Sequence, residues 1–151
     1  MAKTLTLDLA DEAATTDLGR RLAPLCRAGD VIALRGDLGA GKSTLARALI
    51  QALQGADTEV PSPTFTLVQT YPGEPVIWHF DLYRLENPAE ARELGFEEAA
   101  DGLTLVEWPE RLGSHLPKTR LELQLSFSGA GRIARLEDHA DWSERIDGDW
   151  R

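Results

Sequence analysis

A glycine-rich loop over residues 36–44 contains the side chains best suited to chemistry. It reads G-D-L-G-A-G-K-S-T and matches the pattern G-x-x-x-x-G-K-[ST] in full. Glycines let the backbone turn so that successive amide N–H groups point at phosphate oxygens. The lysine supplies a mobile positive charge for the β- and γ-phosphates, and the serine hydroxyl is a ligand for Mg²⁺. The loop therefore predicts the binding of a nucleotide with a metal ion. The candidate nucleotide-binding residues in it are Asp37, Leu38, Gly39, Ala40, Gly41, Lys42, Ser43 and Thr44.

Two acidic residues follow apolar runs further along the chain. Asp81 comes directly after residues 76–80, and Glu107 comes directly after residues 103–106. Because such runs form buried strands whose carboxyl ends meet at one edge of a parallel sheet, both acids are expected beside the loop. One would hold the metal ion while the other orients or deprotonates water, and the residue types leave that assignment open. The alternative for each acid is a simple cap of a helix or turn.

The elements needed to position the loop are present on both of its sides. Residues 31–34 form a short apolar run typical of a buried strand, and apolar residues recur at helical spacing from Leu45 to Leu53. Residues 4–9 alternate and predict a first strand, and Asp11 and Glu12 open the helix that follows. The loop is thus expected to join the second strand to the second helix.

The remaining pattern predicts more strands than helices. The further predicted elements are strands over residues 65–71, 76–80, 103–106, 121–127 and 132–136, and a helix over residues 88–94. The first two and the last two of these strands are expected to pair as hairpins. The expected fold class is α/β, a P-loop NTPase-like three-layer fold in which a mixed parallel and antiparallel sheet is flanked by helices. We expect one P-loop domain over residues 1–137. Residues 138–151 are a polar tail with Trp142 and Trp150, and the sequence leaves open whether it docks as a helix.

Composition restricts the class of protein. With 42% hydrophobic residues in 151, the chain fits one compact domain with no separate substrate domain. It has 25 acidic against 16 basic residues, a net charge of −9, which argues against autonomous nucleic-acid binding. Its single cysteine, Cys26, excludes an internal disulfide and is expected to pack within an apolar helix. Without a signal core or a membrane span, a soluble cytoplasmic protein is expected.

Four other residues have chemistry that could serve a nucleotide site. The segment P-S-P-T-F-T over residues 61–66 lies where NTPases often place a sensor of the γ-phosphate. Within it Thr64 or Thr66 could contact Mg²⁺ or phosphate, although threonine is also a common strand residue. His79 alternates with apolar neighbours and is expected to be an inward, hydrogen-bonded histidine rather than a catalytic base. Trp108 would either stack on a base or a partner or be a buried aromatic.

Four blocks in order along the chain resemble the bacterial TsaE family, also called YjeE. They are residues 36–44, residues 62–68 (S-P-T-F-T-L-V), residues 79–85 (H-F-D-L-Y-R-L) and residues 106–110 (V-E-W-P-E). The resemblance extends from the first predicted strand to the turn at residues 131–132. It implies a small P-loop ATPase that uses ATP and Mg²⁺. It also implies that the protein is required for making N6-threonylcarbamoyladenosine from the tRNA adenosine beside the anticodon. Cells with such a protein also use TsaB, TsaC and TsaD for this modification.

The resemblance also implies roles for particular residues. Mg²⁺ is placed on Ser43 and Glu107, with Lys42 on the phosphates and Asp81 orienting water or supporting the metal site. The candidate catalytic residues are thus Asp81, Lys42 and Glu107, and the candidate metal residues are Ser43, Glu107 and Asp81. Further candidate nucleotide contacts are Glu12, near the base, and Thr64, Trp108 and Arg132. Ser43 stands where relatives mostly carry threonine, and because the hydroxyl is kept we expect only altered packing around the metal.

Partners follow from the same resemblance. ATP binding is expected to order residues 61–68 and to help them dock on a TsaB–TsaD complex, which hydrolysis then resets. The acidic chain is expected to reach tRNA indirectly, through these partners. Two other functions remain open. One is an adaptor in which nucleotide binding matters and hydrolysis is incidental. The other is a small-molecule or nucleotide kinase, which would need an arginine-bearing lid.

Overall fold

A computed structural model describes residues 3–62, 66–146 and 150. The strands are β1 (Lys3–Leu9), β2 (Val31–Arg35), β3 (Val68–Tyr71), β4 (Ile77–Asp81), β5 (Leu103–Glu107), β6 (Leu121–Ser128) and β7 (Gly131–Asp138). The α-helices are α1 (Glu12–Leu22), α2 (Lys42–Gln54), α3 (Glu90–Glu93) and α4 (Trp142–Arg145). Short 3₁₀ helices span Ala23–Leu25, Glu98–Asp101 and Pro109–His115. Among the described residues, the strands form one seven-stranded sheet.

The sheet mixes parallel and antiparallel pairs. Its strand order is β1-β7-β6-β2-β5-β4-β3. In the centre, β2 runs parallel to both β5 and β6, and β5 runs parallel to β4. Towards the two edges the pairs are antiparallel, β3 with β4 on one side and β7 with β6 and β1 on the other. The predicted α/β class, the mixed sheet and both hairpins are therefore confirmed.

The alternation of side chains along each strand divides the core into two clusters. Leu34 and Leu105 point to the face covered by α1 and α2. Val31, Phe80 and Val106 point to the other face, where α3 and two of the 3₁₀ helices cover them. Because successive strand residues face opposite sides, β2, β4 and β5 each contribute residues to both clusters. The result is a layer of helices on each face of the sheet.

The first two helices pack unusually closely. Asp11 caps the start of α1, where its side chain accepts a hydrogen bond from the Ala14 amide at 2.9 Å. Further along α1, a Cβ on Gly19 would lie 2.7 Å from the carbonyl oxygen of Leu45 and 2.9 Å from the Cβ of Ala48. A larger residue there would push the helices apart. Gly19 thus keeps α1 against α2.

Three local expectations are wrong in detail. The strand expected over residues 65–71 begins at Val68, because Leu67 has a left-handed backbone with φ of 67°. The helix expected over residues 88–94 is reduced to Glu90–Glu93. Cys26 lies just after a 3₁₀ helix rather than inside an α-helix, and burial raises its pKa to about 12. That shift fits a packed thiol rather than a reactive one.

The C-terminal residues that the structure describes pack on the main body. Trp142 in α4 is 1% exposed and belongs to the cluster beneath α1 and α2. Arg145 donates to both carboxylate oxygens of Asp30, at 2.7 Å and 3.1 Å. The first part of the tail therefore docks as a short helix, whereas the domain boundary after residue 137 stays a prediction. None of the helices within the described ranges is long and apolar enough to cross a bilayer.

Candidate active site

The glycine-rich loop connects the carboxyl end of β2 to the start of α2. Gly36 directly follows β2 and has φ of +145°, and a Cβ there would lie 2.5 Å from the Leu125 carbonyl oxygen of β6. Gly41 has a left-handed backbone, with φ of +110°, immediately before the helix. Non-glycine residues rarely adopt these conformations. The loop therefore turns tightly against the central strands, as its sequence predicts.

The start of α2 is open to an anion. No side chain among the described residues caps it by a hydrogen bond. The first amide N–H groups of an α-helix lack partners within the helix, and the helix dipole adds partial positive charge there. Backbone donors and charge of this kind suit a phosphate group.

Lys42 is held inside the loop. Its ammonium donates to the Gly36 carbonyl and lies 3.5 Å from the centre of the Trp108 ring. The residue is only 5% exposed. Burial lowers the pKa of the Lys42 ammonium, and the negative charge of Glu107 opposes that change. A phosphate oxygen in the loop would give this partly desolvated charge a stronger acceptor than a neutral carbonyl.

The two predicted acids lie next to one another on neighbouring strands. Asp81 and Glu107 are directly paired at the carboxyl ends of the parallel strands β4 and β5, and both are buried. The Ser43 hydroxyl, at the start of α2, lies 3.1 Å from one carboxylate oxygen of Glu107 and 3.3 Å from the other. Asp81 accepts a hydrogen bond from the Tyr83 amide at 3.1 Å. The fold thus brings both acids to the serine of the loop.

The donor atoms of this cluster fit magnesium. A serine hydroxyl and carboxylates offer hard oxygen ligands, which Mg²⁺ prefers. Mg²⁺ usually takes one or two carboxylates and completes its octahedron with waters and substrate phosphates. Ser43 and Glu107, already 3.1 Å apart, are the residues that would hold the ion. Asp81 lies beside Glu107 through the strand pairing.

His79 adds a contact that the sequence did not predict. It is 1% exposed, so the expected inward histidine is confirmed. Its Nε2 lies 2.7 Å from a carboxylate oxygen of Glu107. Its Nδ1 has no hydrogen-bond partner among the described residues. The signal available in the sequence was spacing, because His79 lies two residues before Asp81 and so shares its face of β4.

Two neighbouring pockets lie along the loop and share some of its residues. One of about 210 Å³ is lined by Leu38, Gly39, Gly41, Lys42, Ser43, Thr44, Asp81, Glu107 and Trp108. The second, of about 300 Å³, is lined by Asp11, Glu12, Thr15, Gly39, Ala40, Gly41, Thr44, Ala130, Gly131 and Arg132. They share residues of the loop, so one elongated ligand could occupy both. The geometry thus gathers Lys42, Ser43 and the two acids in the first pocket, and Glu12 and Arg132 in the second.

Glu12 and Arg132, in the second pocket, are held differently from the residues of the first pocket. Arg132 donates to the carbonyl oxygens of Gly39 and Ala40, each at 3.2 Å, and its guanidinium lies 4.4 Å from the centre of the Phe127 ring. Glu12 is exposed in the first turn of α1. Both side chains thus border the loop from outside.

Three further candidates lie around the same site or beyond the described residues. Trp108 is half-buried between Lys42 and Tyr83, with a ring-to-ring distance of 4.9 Å to the tyrosine. Thr66 is exposed, and its hydroxyl accepts from the Gln69 side chain at 3.0 Å. Thr64 lies outside the described residues. The role of each predicted site residue remains a prediction.

The comparisons with known proteins agree on one family. A family model described as "Threonylcarbamoyl adenosine biosynthesis protein TsaE" matches residues 9–134. Proteins named "tRNA threonylcarbamoyladenosine biosynthesis protein TsaE" are similar over most of their length. The one from Rickettsia felis is 44% identical over 121 residues, covering 79% of this chain and 71% of the relative. The one from Bacillus subtilis is 36% identical over 118 residues, covering 76% and 73%.

A solved structure agrees in fold. The crystal structure of YdiB from Bacillus subtilis matches this chain with a TM-score of 0.79 and 28% sequence identity. The match covers 95% of this chain and 91% of YdiB.

Proposed function

The chain belongs to the TsaE family, and from that premise we propose that it is a Mg²⁺-dependent ATPase required for N6-threonylcarbamoyladenosine in tRNA. The family's description places it in this biosynthesis. The modified nucleoside is the tRNA adenosine beside the anticodon. ATP hydrolysis and its coupling to partner proteins are the parts that this proposal adds.

One observation carries the enzymatic part. The Ser43 hydroxyl at the end of a full P-loop lies 3.1 Å from the buried Glu107 carboxylate, and Asp81 is paired in register beside that acid. A phosphate loop, a metal ligand pair and a second acid are the parts that P-loop NTPases use. A binding loop without catalysis would not require two buried acids at this point.

The residues divide the work of hydrolysis among them. Lys42 and the amides at the start of α2 bind the β- and γ-phosphates and offset their charge. Ser43 and Glu107 are the residues that would hold Mg²⁺, and the ion would supply positive charge opposite the phosphate oxygens. Asp81 orients a water for in-line attack on the γ-phosphorus and accepts its proton as the bond to the ADP oxygen breaks.

Coupling to partners uses the surface around the nucleotide. We place the docking surface for a TsaB–TsaD complex next to the loop, where Leu38 is 64% exposed and Tyr83 is 40% exposed. Apolar side chains so exposed beside a ligand site suit a partner that detects the bound nucleotide. With a net charge of −9, the chain reaches tRNA through those partners.

The decisive experiment measures ATP hydrolysis by the purified chain alone and after TsaB and TsaD are added. We expect the two partners to stimulate hydrolysis and the mixture to modify tRNA. Hydrolysis that stays at its basal rate with both partners present would contradict the coupling.

An Asp81→Asn variant separates the ATPase from the adaptor. The ATPase proposal predicts that this variant still assembles with TsaB and TsaD but does not complete modification cycles. An adaptor would support full modification with hydrolysis lost. Analysis of the reaction products with candidate acceptors tests the kinase alternative, because a kinase would transfer the γ-phosphate to an acceptor rather than to water.

A further inference from the structure

A buried histidine and the metal-side acid form a pair across two strands. His79 on β4 and Glu107 on β5 have side chains that are 1% and 3% exposed. Their Nε2 and Oε2 atoms lie 2.7 Å apart, which is the length of a strong hydrogen bond. When Glu107 is the ionised carboxylate that a metal ligand must be, its oxygen accepts this bond and Nε2 is the donor.

The other hydrogen bond to Glu107 is weaker and shared. The Ser43 hydroxyl has one proton and lies at similar distances, 3.1 Å and 3.3 Å, from the two carboxylate oxygens. Its oxygen is also the candidate metal ligand in the loop, so that contact must rearrange when the cation binds. His79 reaches Oε2 of the carboxylate from the neighbouring strand rather than from the loop, so its contact can remain when the serine rearranges.

The second ring nitrogen strengthens this interpretation. Nδ1 of His79 is buried and has no hydrogen-bond partner among the described residues. A buried polar atom without a partner costs stability, so a histidine kept here for stability alone would be a poor choice. The ring uses its one strong hydrogen bond on Glu107, and hydrogen bonds to metal-ligating carboxylates commonly set their orientation.

We propose that His79 is a positioning residue that holds the Glu107 carboxylate in the orientation in which it binds Mg²⁺. The inference rests on the proposed Mg²⁺-dependent binding of ATP. His79 acts through Glu107 and does not contact the nucleotide.

Two amide variants that differ by one methylene group test the proposal. The side-chain nitrogen of glutamine occupies the place of Nε2, so His79→Gln can still donate to Glu107. Asparagine is shorter and its nitrogen occupies the place of Nδ1, so His79→Asn cannot. Phe80→Leu is the matched control, because Phe80 is equally buried on the same strand but faces the other cluster.

The readout is the gain in ATP affinity that Mg²⁺ provides, measured by calorimetry with Mg²⁺ and with EDTA. We expect His79→Asn to reduce this gain about 10-fold to 100-fold, while the affinity in EDTA changes little. Excess Mg²⁺ should restore part of its hydrolysis rate. His79→Gln and Phe80→Leu should keep the gain of the unaltered chain. An undiminished gain in a folded His79→Asn variant would overturn the proposal.

A measurement on the unaltered chain does not depend on whether the variants fold. The proton on Nε2 of His79 should give a slowly exchanging, downfield NMR signal that shifts when ADP is added with Mg²⁺ and not with EDTA. A missing signal, or a signal whose chemical shift does not change when Mg²⁺ is present, would contradict the proposal. If the unaltered chain bound ATP equally with and without Mg²⁺, the proposed function itself would fail. If it showed the gain and His79→Asn kept it, this inference alone would fail.

Discussion

The two pockets beside the glycine-rich loop differ in how firmly the protein holds their side chains. On the phosphate side, Lys42, Asp81 and Glu107 are at most 5% exposed. On the α1 side, Glu12 is exposed, and Arg132 is half-buried and donates to backbone carbonyls of the loop. Buried, hydrogen-bonded polar groups lose little freedom when a ligand arrives, whereas exposed groups must be ordered. We therefore expect the phosphate side to dominate both ATP affinity and catalysis, and the α1 side to affect ATP affinity alone.

The largest effect is expected at Lys42. Lys42→Ala removes the buried ammonium, so ATP affinity should fall about 100-fold and hydrolysis should disappear. Calorimetry and phosphate release measure the two effects. Lys42→Arg keeps the charge but not the compact geometry and should recover only part of the binding. Near-normal ATP affinity in a folded Lys42→Ala variant would contradict the expectation that the phosphate side dominates binding.

Asp81→Asn should separate turnover from binding. Loss of the carboxylate removes the group that orients water, so kcat should fall about 100-fold or more while ATP affinity changes by less than about threefold. Single-turnover hydrolysis together with calorimetry checks this split. Parallel losses of affinity and turnover would instead make Asp81 a ligand of the bound nucleotide complex.

A smaller effect is expected on the α1 side. Arg132→Ala should weaken ATP binding about threefold to tenfold and leave kcat unchanged, because the guanidinium borders the pocket without reaching the acids. Arg135→Ala is the matched control on the same strand, since Arg135 is exposed and pairs with Glu137 at 3.7 Å. A large fall in kcat for Arg132→Ala would show that this arginine acts in catalysis, as the residues on the phosphate side are expected to.

The smallest effect is expected for a conservative change of the loop serine. Ser43→Thr keeps the hydroxyl that faces Glu107 and adds a methyl group, so the Mg²⁺ concentration for half-maximal hydrolysis should change by less than about threefold. Ser43→Ala removes that hydroxyl and should raise the required Mg²⁺ concentration at least about tenfold. Equal behaviour of the two variants would show that the hydroxyl is not a metal ligand.

The sequence predicted the phosphate side better than its surroundings, for physical reasons. A glycine pattern fixes backbone geometry locally, and an acid after an apolar run lies at a strand end wherever that run becomes a strand. The left-handed backbone of Leu67 depends on tertiary contacts that no local pattern encodes, including the hydrogen bond from the Asp81 amide to its carbonyl. The contact between His79 and Glu107 likewise requires the register of β4 with β5, and periodicity alone does not give it.

The tail shows the same limit. Residues 138–151 are polar on average, so composition left the docking of Trp142 undecided. In the fold this ring is 1% exposed, and the short helix is fixed by the ion pair of Arg145 with Asp30. A buried aromatic residue together with a few ion pairs and partly buried apolar residues can dock a short segment that has no strong amphipathic pattern.

The most direct test compares ATP with AMP in calorimetric titrations of the unaltered chain, each in the presence of Mg²⁺. If the phosphate pocket supplies most of the binding free energy, ATP should bind at least about 100-fold more tightly than AMP. Equal affinities for ATP and AMP, or no measurable binding of ATP with Mg²⁺, would contradict the account.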